Sequence, residues 1–147
     1  MSVEKLVISV EEGAVAPSYA TSGSAGADIR AFTDKPIYLF GGSHHIVNTG
    51  LRMRVPEGYE VQIRPRSGLA AKNVITVLNS PGTIDSDYRG EVRVILVNHG
   101  NEGFVIRNGD KIAQMVLAPV TRAEFVIGEV DVDTERGTGG FGSTGIQ

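Results

Sequence analysis

The 147-residue chain contains no cysteine. This excludes a disulfide framework, thiolate metal sites and a thiol nucleophile, so any catalysis must use oxygen or nitrogen groups, and it fits a reducing compartment. A charge bias is also missing, because 14 Lys and Arg against 17 Asp and Glu leave a formal net charge of −3. There is no overall pull towards polyanions, and a duplex-binding protein is ordinarily more basic, so no nucleic-acid partner is expected. No stretch approaches the roughly 20 apolar residues of a membrane helix. Glu4 and Lys5 interrupt the apolar run near the start, which therefore does not read as a signal peptide. The expectation is a soluble, cytoplasmic protein with no membrane partner, folded as one domain over residues 1–147.

Glycine is in excess: 19 of 147 residues, ~13% against an average usage of roughly 7%. No three-residue period accompanies it, which excludes collagen and leaves local backbone geometry as its purpose.

Period-2 alternation dominates the pattern. Leu51, Met53 and Val55 alternate with Arg52, Arg54 and Pro56, and Tyr59, Val61 and Ile63 with Glu60, Gln62 and Arg64. These predict two strands joined by a short turn at Pro56-Glu57-Gly58. Further strands are expected at Leu6–Val10, Asp28–Ala31, Ile37–Phe40, His45–Asn48, Val74–Leu78, Glu91–Val97, Phe104–Ile106, Lys111–Leu117 and Phe125–Glu129. Many short strands with Gly, Pro, Asn and Asp between them predict an all-β sandwich or barrel. One short helix is expected, N-capped by Ser67 and ending at Asn73. From about Asp131 the chain becomes Gly-, Thr- and Ser-rich, so residues 131–147 read as a mobile, glycine-rich C-terminal arm.

The arm's Gly137-Thr138-Gly139-Gly140-Phe141-Gly142 has the spacing G-x-G-x-x-G, but only five residues follow it. No helix can start there, so the dinucleotide reading fails; Ser143 stands at the lysine position, so the P-loop reading fails as well. What remains is the physics the motifs share. Glycines let successive N–H groups face one anion, Arg136, Ser143 and Thr144 add donors, and Phe141 offers a stacking surface for a base.

Three segments in the body carry chemistry. Pro65-Arg66-Ser67-Gly68-Leu69-Ala70 is either a capped turn or a phosphate site at a helix start. Gly82-Thr83-Ile84-Asp85-Ser86-Asp87-Tyr88-Arg89-Gly90 looks like a hairpin tip whose aspartates are either turn-formers or a general base towards water. Asp28 and Gln114 are polar residues in apolar strand-like surroundings, either partnered in the core or part of a site. His44 and His45 are adjacent and point to opposite strand faces, so they cannot chelate together.

In order along the chain, Ala25-Gly26-Ala27-Asp28, the Arg66 segment, the Asp85 segment, the Gln114 segment and the Arg136–Gly145 arm resemble the five motifs of the homotrimeric deoxyuridine triphosphatases (dUTPases). The resemblance implies a distorted jelly-roll-like β-barrel, a homotrimer with shared active sites, and hydrolysis of dUTP to dUMP and pyrophosphate with Mg2+. Such activity supplies dUMP for thymidylate synthesis and keeps uracil out of DNA. Position by position, it implies that Asp85 orients the water attacking the α-phosphorus and that Tyr88 lies against the deoxyribose. Asn79 and the backbone around Thr83 and Ile84 would read the uracil edge. Arg66, Ser67, Gly68 and Gln114 would contact phosphates, and Arg93 would line the site. Asp28 would reach the metal only through water. Phe141 would stack on uracil while Arg136, Gly142, Ser143 and Thr144 wrap the outer phosphates. The rival readings are a deaminase of the same fold and a non-catalytic nucleotide sensor. The intact Gly82–Gly90 segment weighs against the first, and the complete residue set against the second.

Overall fold

A computed structural model describes residues 1–146; Gln147, the last residue of the expected arm, lies outside the described residues. The β-branched, alternating stretches form β1 (Val7–Val10), β2 (Ala27–Arg30), β3 (Ile37–Leu39), β4 (His44–Arg54) and β5 (Tyr59–Arg64). The helix α1 (Ser67–Asn73) follows, and then β6 (Ile75–Val77), β7 (Gly82–Ile84), β8 (Val92–Asn98), β9 (Phe104–Ile106) and β10 (Lys111–Pro119). The pairings are antiparallel, in two four-stranded sheets ordered β1-β4-β8-β6 and β2-β10-β5-β7, with β3 and β9 as a separate pair. This is the expected all-β, distorted jelly-roll-like barrel with one short helix. Ile29, Val47, Leu51, Val61, Ile75, Val92, Leu96 and Ile112 are fully buried in its core, each stabilising by about 1.5–3 kcal/mol relative to exposure.

The strand map differs from expectation in four places. His45–Asn48 and Leu51–Val55 fall largely within one strand, β4, whose register against β8 shifts between Asn48 and Leu51. Gly50 makes that bulge possible. Its φ is +67°, and a Cβ there would sit 2.6 Å from the Ala14 Cβ. The buried Thr49 hydroxyl closes the gap, donating to the Val92 carbonyl and accepting from the Leu51 N–H at 3.3 Å.

The Gly82–Val92 segment is not a ladder hairpin, because β7 pairs with β5 whereas β8 pairs with β4 and β6. Its polar tip is a loop crossing between the two sheets. The turn at Pro56-Glu57-Gly58 likewise joins strands of different sheets. Phe125–Glu129 forms no strand despite its composition, and Phe125, Val126 and Ile127 are exposed. β-propensity describes fit to a pleated, half-buried surface, and this chain provides no ladder partner for that segment.

The helix also starts one residue earlier than expected. Arg66, extended at φ −89° and ψ 129°, is the N-cap, and Ser67 is the first helical residue. The end falls where expected, at Asn73, with Val74 in the left-handed region returning its N–H to the Ala70 carbonyl at 3.2 Å. Among the described residues no helix is long and apolar enough to cross a membrane.

Candidate active site

The loop between β7 and β8 folds back on itself. The Tyr88 N–H donates to the Asp85 carbonyl at 3.2 Å, and the Arg89 Nη1 braces the Ser86 and Tyr88 carbonyls at 2.7 and 3.0 Å. Arg52, from β4, donates to the Arg89 carbonyl at 3.3 Å and ties the loop to the sheet. With β6, β7 and β8 the loop bounds a cleft of about 240 Å³, in which Asn79, Thr83, Ile84, Asp85, Tyr88 and Arg93 meet. Ile46 and Ile95 supply apolar wall. Apolar wall and polar groups thus share the lining about equally, and the polar groups can orient a small ligand. A Cβ at Gly82 would press on the Ile63 side chain at 3.3 Å, so glycine lets β7 lie close to β5.

Asp28, Arg66 and Gln114 meet elsewhere, at the other end of the β2-β10-β5-β7 sheet. Asp28 on β2 pairs with Gln114 on β10, which in turn pairs with Arg64 at the end of β5. Asp28 is 4% exposed. Its Oδ1 accepts from Arg66 Nε at 3.3 Å and from Gln114 Nε2 at 3.2 Å, and its Oδ2 faces the Lys111 Nζ at 3.0 Å. Burial pushes the carboxyl up, but the Lys111 and Gln114 hydrogen bonds and the charges of Arg66 and Lys111 outweigh it, so Asp28 titrates below the usual 3.8.

Lys111 escaped the sequence reading for a structural reason. Strict alternation would put Lys111 and Gln114 on opposite faces; the register shift between Lys111 and Ala113 turns both towards Asp28. Gly26 makes room for the same group, because a Cβ there would crowd the Gln114 Oε1 at 3.0 Å.

These two groups are far apart in one chain. Ile84 pairs with Val61, so Asp85 lies level with Glu60, whereas Arg66 lies beyond the opposite end of β5. The Asp28–Gln114 pair lies level with Arg64, four residues or about 13 Å along β5 from the level of Glu60, and β5 and β10 stand between β7 and β2. Ser67 and Gly68 are exposed in the first turn of α1. The structure does not bring the C-terminal residues to either group. Arg136 Nε bonds the Gly139 carbonyl at 3.0 Å, the Ser143 N–H bonds that of Gly140 at 3.0 Å, and Gly142, Thr144 and the Phe141 side chain are exposed.

Among the described residues no three His, Cys, Asp or Glu side chains stand together as a metal cage. Asp28 has about four lone-pair sites, and the three bonds above leave one on Oδ2. One free acceptor position does not by itself make a metal cage, so these residues alone do not hold a cation.

A narrow cleft edged by backbone groups and one aromatic ring, together with a separate set of phosphate-type donors, is the equipment of a protein that handles a nucleotide. The particular kind follows from likeness to known proteins. The dUTPase family model matches residues 12–145, and the chain belongs to that family. It is 55% identical over 137 residues to the deoxyuridine 5'-triphosphate nucleotidohydrolase of Chlamydia pneumoniae, covering 92% of this chain and 94% of that one. It is 60% identical over 130 residues to the protein of the same name from Roseobacter denitrificans, covering 88% and 86%. In fold it resembles the Staphylococcus bacteriophage 80alpha dUTPase solved with dUPNHPP, at TM-score 0.86 and 24% identity, over 98% of this chain and 100% of that chain.

Proposed function

We propose that this protein is a dUTP diphosphatase, hydrolysing Mg2+-bound dUTP to dUMP and pyrophosphate. The observation that carries the reading is the cleft in which Asp85, Tyr88, Asn79 and the Thr83–Ile84 backbone stand together, on a chain of the dUTPase family. The uracil edge meets Asn79 and the backbone of Thr83 and Ile84. A rigid backbone cannot exchange donors for acceptors, so cytosine would leave polar groups unpaired. The Tyr88 ring lies against the deoxyribose and leaves no room for a 2′-hydroxyl.

In the chemical step Asp85 orients a water and accepts its proton. The water oxygen bonds to the α-phosphorus, and the bond from that phosphorus to the α–β bridging oxygen breaks, releasing pyrophosphate. Arg66, Ser67, Gly68 and Gln114 hold phosphate oxygens, with Arg93 at the edge of the site. Mg2+ bound to the triphosphate would offset its charge, and Asp28 would hold it only through water. The arm from Arg136 closes over the nucleotide, with Phe141 on the base and Arg136, Gly142, Ser143 and Thr144 on the outer phosphates. Closure excludes bulk water.

The assembly that joins Asp85 to Arg66 is a homotrimer with active sites shared between chains. The separation of the two groups along and across the β2-β10-β5-β7 sheet and the exposed Phe125, Val126 and Ile127 support it. A cytoplasmic setting accords with a chain free of cysteine.

The test is pyrophosphate release from dUTP, dCTP, dTTP and UTP, with ammonia release measured from dCTP. Turnover confined to dUTP supports the reading. Ammonia from dCTP points to a deaminase, and binding of dUTP without pyrophosphate points to a nucleotide sensor; either overturns it.

A further inference from the structure

Tyr88 lines the cleft and is half-exposed. It folds back over its own loop, and its hydroxyl donates to the Glu91 carbonyl at 3.0 Å. Gly90 lies directly beneath the ring. A Cβ at that position would stand 2.5 Å from Tyr88 Cζ and 2.9 Å from Cε2, closer than real Cβ atoms approach, and would collide with the phenol oxygen. The three nearest atoms all belong to the Tyr88 side chain, not to backbone. Gly90 is not among the glycines with positive φ, so its backbone conformation is open to other residues. A Cβ at position 90 is therefore accommodated only if the Tyr88 ring shifts.

We propose that Gly90 is a specificity-determining position that acts through Tyr88. Its missing Cβ is the seat that holds the ring at the height needed to exclude a 2′-hydroxyl. Alanine at 90 is accepted by the backbone but not by the ring, which must pivot about its Cα–Cβ bond and give up the hydrogen bond to Glu91. The braces from Arg89 and Arg52 hold the loop through backbone carbonyls. They leave the loop in place while the ring moves. The consequence is a selective loss: a displaced ring leaves Asp85 in place and opens the sugar pocket. This rests on the sugar-facing role given to Tyr88 above.

The test compares kcat/KM for dUTP and UTP in wild type, Gly90→Ala, Tyr88→Ala and the double variant. Gly90→Ala is expected to reduce the preference for dUTP over UTP by about tenfold, the scale on which pockets resolve small steric differences. Its crystal structure is expected to show the ring displaced. The double variant is expected to match Tyr88→Ala within about twofold, since without the ring the added Cβ meets nothing.

Wild-type preference in Gly90→Ala alongside lost preference in Tyr88→Ala would overturn the role of Gly90 while sparing that of Tyr88. Unchanged preference in Tyr88→Ala would instead overturn the sugar-reading role on which the proposal depends. Should Gly90→Ala fail to fold, the double variant decides: recovery of folding without the ring supports the seat, and continued failure refutes it.

Discussion

Replacing Asp28 with asparagine tests the charge cluster by changing two properties at once. The change removes the negative charge that Arg66 and Lys111 share, and it turns one acceptor oxygen into an NH2 donor that neither of these donor-only groups can meet. A charge-assisted hydrogen bond contributes ~1.5–3 kcal/mol, and at least one of the three Asp28 bonds is lost outright. The cost is moderated because the Arg66 and Lys111 side chains are 31% and 35% exposed and regain hydration on release. The expected destabilisation is about 2 kcal/mol, which for a chain of this size lowers Tm by about 4–8 °C. The pH dependence identifies the cause. Because the folded carboxyl titrates below its usual 3.8, its stabilisation is complete above the unfolded value and disappears as pH falls through the lower folded one. Thermal melts of both proteins should therefore show a gap at neutral pH that closes in acid as the pH falls below 3.8. Equal Tm values at neutral pH, or a gap of constant size into strong acid, would refute the account.

Asp85→Asn should keep affinity for a non-hydrolysable dUTP analogue and lose about 10²–10⁴-fold in kcat; near-normal turnover would remove Asp85 from the base role. If sites are shared, co-refolding Asp85→Asn with Arg66→Ala chains in equal amounts should restore turnover at about a quarter of wild-type sites, because each mixed trimer contains one intact pairing of the two halves. No recovery in chains that co-assemble would place the whole site within one subunit. Removing residues from Arg136 onward should sharply reduce dUTP hydrolysis while size-exclusion chromatography still reports trimers; an unchanged rate would show that the arm is no lid.

Local chemistry was legible in the sequence wherever it depended on neighbouring residues. The alternation of Leu51, Met53 and Val55 marks a strand, Gly58 at φ +85° marks the turn after Pro56, and the helix ends at Asn73 as expected. Asn79, Thr83, Ile84, Asp85 and Tyr88 are adjacent in the chain or nearly so, and they meet in one cleft. What period-2 patterning does not encode is the partner. A strand with one buried face satisfies it in either sheet, so the Gly82–Val92 segment looks like a hairpin and is a crossing loop. Bulges are hidden for a related reason. The irregularity beside Lys111 depends on how β10 lies against β2, and without it Lys111 belongs to the wrong face.

The glycine excess acquires different explanations at different positions. At Gly50 the backbone itself needs a positive φ. At Gly26 and Gly90 the missing Cβ makes space for one named side chain, Gln114 in the first case and Tyr88 in the second. Both of those side chains belong to the proposed active site, one in each of its separated halves. A substitution at either glycine therefore acts on the ligand through a single neighbour, and its effect should track the job of that neighbour. On the proposed roles, Gly26 would act on how Gln114 meets phosphate, and Gly90 on how Tyr88 meets the sugar. The two positions are consequently separable in kinetics even though both are the loss of one hydrogen for one methyl group: the first acts equally on every triphosphate offered, and the second only on the choice between ribose and deoxyribose.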